Sequence, residues 1–290
     1  MAKARNLVLG VGCLLVLLGA VIAILIAYGM KSPRLPKQVV LAVKLSGPIP
    51  ELAAEDPLAR LGGGAPVTLR ELHAAFGEAA RDERVVGLRV HVDSYEGGFA
   101  TTQEIRSLIR AVGAAGKWTV AYLDTAGEFA PGNSVYYLAS ACDEVSLNPA
   151  GDVNLIGLSA RSPFLRGTLD KLGIEPEFPG RGDYKTARFM YTERDFTPAH
   201  REMLGWLVDS LMGQMVGDIA DSRQLQPGAV RELIDRGPYF GKEAVEAGLV
   251  DRLEDWPEFT KRLEEQAGDR AEVVGLRSYL KGSHQPRGGA

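Results

Sequence analysis

Residues 85–124 read VVGLRVHVDSYEGGFATTQEIRSLIRAVGAAGKWTVAYLD, and this stretch sets the fold class. Val85 to Val92 is an apolar run with a strand's residue types, and DSYEGGFA breaks it. Ile105, Leu108, Ile109 and Val112 then recur at helical spacing before WTVAYLD returns to β-forming residues. Strand, loop, helix and strand in this order predict right-handed crossovers between parallel strands, hence an α/β fold. Function in such folds sits at the carboxyl ends of the strands, and Gly97-Gly98 occupies one of those ends.

Upstream, Val39 to Leu45 (VVLAVKL) predicts a first strand buried mostly on both faces. Residues 46–67, with Gly62, Gly63 and Gly64, read as a surface loop, and Thr68 with Glu71 forms a capping box for a helix through about Ala80. Downstream, SVYYLASA predicts a short buried helix and EVSL a fourth strand. A turn at NPAGDVNLIG and a helix from about Arg161 to Leu172 follow. Pro198 opens a long helix whose Met203, Leu204, Leu207, Leu211, Met215 and Ile219 predict one buried face. Shorter helices are expected around 227–236, 241–248 and 256–265, and GSHQPRGGA reads as a frayed tail or a truncated linker.

Composition narrows the function. With 33 Lys and Arg against 37 Asp and Glu in 290 residues, the net charge of −4 gives no broad surface for nucleic acid. A hydrophobic fraction of 46% and a charged fraction of 24% supply an ordinary core. Cys13 and Cys142 exclude a disulfide scaffold and a Cys-rich zinc site. The four histidines, His73, His91, His200 and His284, show no metal-ligand spacing, and no metal or other cofactor is expected. His91, between Val90 and Val92, reads as a half-buried strand residue.

Leu7 to Met30 carries no charge and is long enough to cross about 30 Å of hydrocarbon as a helix. It predicts an uncleaved single-pass anchor after a short tail at 1–6, with residues 31–37 linking it to the soluble domain. Lys3 and Arg5 before the span and Lys31, Arg34 and Lys37 after it leave the orientation open.

Among residues able to carry chemistry, Lys185 in GRGDYKTARF sits in a Gly-bearing loop before the long helix. Taken alone it reads as one solvated lysine among many. Several ordered motifs change its meaning: VVGLRVHVDSYEGGF, YYLASACDEVSLNP, LIGLSARSPFLRGTLDKLGIEPE and GRGDYKTARFMYTERDFTPAHREM. Together they resemble the signal peptide peptidase A family, membrane-anchored serine peptidases that use a Ser-Lys dyad. The likeness spans about residues 38–280.

The resemblance implies a crotonase/ClpP-like domain with a mainly parallel sheet and flanking helices, preceded by one transmembrane helix. It implies Lys185 as general base, a role that requires burial to lower the amine from its reference pKa of about 10.4. Gly97 and Gly98 match the family's Gly-Gly loop, whose amides hold the oxyanion, although the pair also reads as a tight turn. The substrates implied are remnant signal peptides, at a cell membrane with the soluble domain on the extracytoplasmic, periplasmic side.

One departure stands out. Counting back from Tyr136-Tyr137, the family's Ser-Gly-Gly nucleophile position falls on Asn133. Ser134 lies one residue later, about 100° around a helix, and reads either as a displaced nucleophile or as the helix N-cap. The chain resembles the amino-terminal, lysine-bearing copy of the long tandem form, in which the other copy supplies the serine. A homo-oligomer or an assembly with a serine-bearing domain is therefore implied. The alternatives are a catalytically silent membrane-tethered scaffold and, with less support from the motifs, acyl-CoA chemistry on the related crotonase fold.

Overall fold

The structure, a computed structural model, describes residues 35–52, 66–127 and 131–283. The expected anchor at 7–30, its preceding tail, Gly62 to Gly64 and residues 284–290 lie outside the described residues. Among the described residues, no helix is long and apolar enough to cross a membrane.

The first four strands are β1 (Gln38–Gly47), β2 (Val85–Tyr95), β3 (Trp118–Leu123) and β4 (Glu144–Leu147). Then come β5 (Asp152–Val153), β6 (Tyr239–Phe240), β7 (Arg252–Leu253) and β8 (Ala271–Gly275). Six of them form one sheet in the order β7-β4-β3-β2-β1-β8, with every pairing parallel, as the opening strand-helix-strand pattern requires. β5 and β6 pair antiparallel outside it.

One face of the sheet carries α1 (Leu69–Ala79), α2 (Phe99–Ala114) and α3 (Asn133–Ala139). Val39, Leu41, Val43 and Leu45 of β1 and Leu88, Val90 and Val92 of β2 are buried with Phe76, Ile105, Ile109 and Tyr137. At about 1.5–3 kcal/mol for each large side chain taken out of water, this layer is the main stabilising block. The capping box forms as read: Glu71 N donates to Thr68 Oγ1 at 3.1 Å and Thr68 N donates to Glu71 Oε2 at 2.9 Å.

The opposite face is unevenly covered. α9 (Trp256–Ala267) lays Phe259 and Leu263 over Val120 and Tyr122 of β3, whereas α10 (Leu276–Ser283), after the edge strand β8, turns Leu276 and Tyr279 into the first layer beside α1. Between them β1 and β2 lie open, so Lys44 is exposed and Ala42, Arg89 and His91 are only half-buried. This corrects the expectation that β1 is buried on both faces: apart from Val40 it alternates, because no helix lies over its second face. β8 had no counterpart in the sequence reading, since its five residues AEVVG form a largely exposed edge without an alternating pattern.

The middle of the chain is less compact. The helix expected from 161 to 172 shrinks to α4 (Arg166–Lys171), because Pro163 disfavours helical backbone before it. α5 (Phe189–Thr192) precedes α6 (Pro198–Arg223), whose N-cap Thr197 accepts a 3.2 Å bond from His200 N. The buried face expected along all of α6 exists only in its second half, at Met215, Val216, Ile219 and Ala220. In its first half Trp206 is 71% and Leu207 43% exposed. α7 (Pro227–Arg236) and α8 (Lys242–Glu246) close the order.

Arg106 fastens α2 to α3 and α6. Its guanidinium donates to the carbonyls of Tyr137 and Asp218 at 2.6 Å and to Ser140 Oγ and Ser222 Oγ at 2.9 and 2.6 Å. Burial pulls the Arg106 pKa below its ordinary value, and burial together with Asp218 pushes the Tyr137 phenol up to about 12.

Candidate active site

The Gly-Gly loop is built by the end of β2. The chain leaves the strand at Tyr95 and turns through Gly97 and Gly98, the latter serving as N-cap of α2. A Cβ on Gly97 would stand 1.7 Å from Tyr95 Oη, so only glycine fits there. Thr102 Oγ1 donates to the Gly98 carbonyl at 2.9 Å, which commits its proton and leaves Tyr95 O–H as donor in the 3.0 Å bond to Thr102. Burial raises the Tyr95 pKa against the lowering effect of Thr102, so the phenol keeps that proton at neutral pH. Among the described residues, no hydrogen-bond acceptor takes the Gly97 or Gly98 amide. Two adjacent glycine N–H groups are thus left without an acceptor, the kind of donor an oxyanion hole uses.

α3 begins beside a second close approach of backbone. A Cβ on Gly132 would lie 1.8 Å from the Ala126 carbonyl oxygen, and Gly132 N donates to Asn154 O at 2.9 Å. Asn133, at the position where the resemblance places a serine, points inward and is 5% exposed. Its Nδ2 donates to Gly157 O at 2.7 Å, and its Oδ1 accepts from Ile156 N and Gly157 N at 3.1 Å each. The amide side chain satisfies two backbone donors and one backbone acceptor, with its donor and acceptor on separate atoms.

Ser134 is half-buried one residue further along α3. Its hydroxyl makes no hydrogen bond among the described residues. The helix N-cap is Gly132, not Ser134, which removes the capping role considered above. Lys185 is exposed in the loop between α4 and a 3₁₀ turn at Thr186–Arg188, with no hydrogen bond or ion pair among the described residues. Its neighbours are anchored: Tyr184 Oη donates to Glu202 Oε2 at 2.7 Å and Phe189 is buried. No hydrogen bond joins Lys185 to Ser134, so the single chain does not bury the amine against a hydroxyl.

Around the lysine loop the chain leaves apolar side chains in water. Leu165, Leu172, Ile174, Phe178, Tyr184, Trp206 and Leu207 are each at least 40% exposed. Phe178 stacks on Tyr191 at 5.0 Å, so part of this surface is preformed.

Sequence reasoning found the Gly-Gly loop but missed Tyr95, Thr102 and the tethering role of Asn133. Tyr95 stands two residues before Gly97 and Thr102 four after Gly98, yet one sequence does not reveal that their hydroxyls meet.

The parallel sheet, with a glycine turn and a helix start at the carboxyl ends of its strands, defines an α/β domain of the kind that binds ligands at that edge. The sequence model of peptidase family S49 matches residues 119–270, more than half of the chain. The chain belongs to this family, that of signal peptide peptidase A. It is 29% identical over 235 residues to the chloroplastic serine protease SPPA of Arabidopsis thaliana, covering 81% of this chain and 33% of that protein. It is likewise 29% identical over 208 residues to protease 4 of Haemophilus influenzae, covering 68% and 33%. The chain thus spans about a third of the length of these two relatives. A solved structure of a membrane-bound stomatin-specific protease, 1510-N in mutant form, aligns over 83% of this chain and 98% of that one, with 12% identity and a TM-score of 0.45.

Proposed function

We propose that this chain is the lysine-donating part of a membrane-anchored serine endopeptidase of the signal peptide peptidase type, cleaving remnant signal peptides through a Ser-Lys dyad. Lys185 is the general base, Gly97 and Gly98 hold the oxyanion, and the serine comes from another domain or subunit. Ser134 is the nucleophile only if the dyad closes within one chain. The span at 7–30 tethers the soluble domain on the extracytoplasmic side of the cell membrane, where substrates left in or near the bilayer are reached.

The observation that carries this reading is the state of Lys185: exposed and unpartnered, on a loop flanked by exposed apolar side chains. A lysine base must be largely neutral near pH 7, and desolvation is what neutralises it. A neighbour seated on Leu172, Phe178 and Trp206 would supply that desolvation and bring its serine to the amine. The neutral Nζ then takes the serine proton as Oγ attacks the peptide carbonyl. The oxyanion forms against the glycine amides, and the protonated lysine returns the proton to the leaving nitrogen. Water, deprotonated by the same amine, releases the acyl group.

Asn133 supports the split site, since it fills the nucleophile position with a side chain already committed to Ile156 and Gly157. The test is Lys185→Ala in membranes from cells that make the full complement of partners, assayed on a signal-peptide substrate. Loss of hydrolysis supports the proposal, whereas unchanged hydrolysis makes the chain a silent scaffold.

A further inference from the structure

The open part of the sheet's second face forms a cleft of about 480 Å³ between α9 and α10, on which the peptidase reading makes no demand. Its floor is Ala42 and Val43 of β1 with Arg89 and His91 of β2, and Trp256 and Leu276 form its walls. Lys44 and Arg277 stand at its rim, so three cations line it and no Asp or Glu does.

These three cations and His91 are not alike. Lys44 is paired with Asp93 at 2.8 Å and Arg277 with Glu71 at 2.9 Å. His91 holds Asp124 Oδ2 through Nε2 at 2.7 Å and packs 4.8 Å from the Trp256 ring. Arg89 is half-buried, yet among the described residues it makes no hydrogen bond and no ion pair. Its guanidinium lies over the Trp256 ring at 5.1 Å from the centroid, and Glu264 attracts it only at longer range. Burial lowers the Arg89 pKa below its ordinary value, the mark of a charge held without full compensation.

The contact with the indole holds the guanidinium at the Trp256 ring, and among the described residues no acceptor takes its N–H groups. A planar fork of donors matches the two oxygens of a carboxylate or phosphoryl group, and a half-buried cation without a partner gains when an anion arrives. We infer that this cleft is a binding site for a small ligand carrying one oxyanion group, phosphoryl or carboxylate, on an apolar body. Arg89 takes the oxyanion in a bidentate bond, Lys44 adds longer-range attraction, and Trp256 with Leu276 covers the apolar part.

The test uses the full chain in detergent and needs no peptidase activity. Thermal unfolding is followed in chloride, in inorganic phosphate and in benzoate at equal ionic strength, for wild type and Arg89→Met. The wild type should gain several degrees in phosphate, in benzoate, or in both, which identifies the oxyanion class. Arg89→Met should lose that gain and melt in chloride no lower than wild type, because an uncompensated charge has been removed. Equal anion responses in the two proteins, or no anion-specific response in wild type, would overturn the site. Should Arg89→Met not fold, hydrogen exchange on the wild type decides. Phosphate or benzoate should slow exchange in residues 88–92 and 254–260, and unchanged exchange there would overturn the site.

Discussion

The sheet with α1, α2 and α3 and the segment from Ile156 to Leu207 are built on opposite principles. In the first, alternate residues of β1 and β2 are buried to within a few per cent, and Arg106 finds four acceptors, two at α3 and two on the packed second half of α6. In the second, Phe189 and His200 are the buried residues, while Leu172, Ile174, Phe178 and Trp206 face water. The second stretch is rich in charge, yet it also carries large apolar side chains of the kind a core takes up. Exposed apolar side chains grouped in this way mark a surface for interaction, and on this segment sits Lys185, which is why the proposal above seats a partner there.

The largest effect expected separates chemistry from stability. Lys185→Ala should lower peptide hydrolysis by about 10²–10⁴-fold in the assembled enzyme, the usual worth of a general base, and leave the melting temperature of the isolated chain unchanged. A fall in the melting temperature would place Lys185 in the self-sufficient region and erase the contrast. Next comes Arg106→Met, which should destabilise the chain by about 3 kcal/mol in denaturant unfolding, because carbonyls and hydroxyls across three helices lose their donor together.

A smaller effect concerns acid. Burial alone would raise the Glu254 pKa, but hydrogen bonds from Arg262 and Ser146 outweigh it and hold the carboxyl below its ordinary value. Asp82 is held low in the same way by Arg84 and Tyr279, the last fastening α10 to the sheet layer. A carboxylate whose folded pKa is depressed stabilises the fold above its unfolded pKa and loses that contribution as pH falls through the folded value. Stability of the sheet region should therefore decline below about pH 4.5, and Glu254→Gln should flatten that decline at a cost of about 1–3 kcal/mol at neutral pH. A pH profile of unfolding free energy checks both points. The smallest change in chain stability, within about 0.5 kcal/mol, is expected for Leu172→Ser with Trp206→Ser, since neither residue packs in the core. The same pair should abolish higher assembly in sedimentation, and an unaltered assembly would contradict the role given to this surface.

The self-sufficient region was the legible one. Periodicity in residues 85–124 identified two parallel strands and the crossover helix, and the capping box at Thr68 and Glu71 formed atom for atom. Misreadings fell where burial depends on a partner element. β1 looked buried on both faces because VVLAVKL is apolar, yet on its second face α9 lies over β3 and leaves β1 open. The apolar positions along α6 predicted a continuous buried face, but pattern marks which residues want burial and not whether a surface is there to bury them. Within the site, the glycines were visible as residue types. Tyr95, Thr102 and Asn133 were not, because their roles arise from contacts across the fold.

The measurement closest to the central claim is fluorophosphonate labelling of the homogeneous full chain, mapped by peptide mass analysis and repeated on Lys185→Ala. A base exposed to water and a nucleophile supplied from elsewhere predict no label at Ser134 in either protein. Label on Ser134 that disappears in the lysine variant would show a dyad complete within one chain and contradict the account.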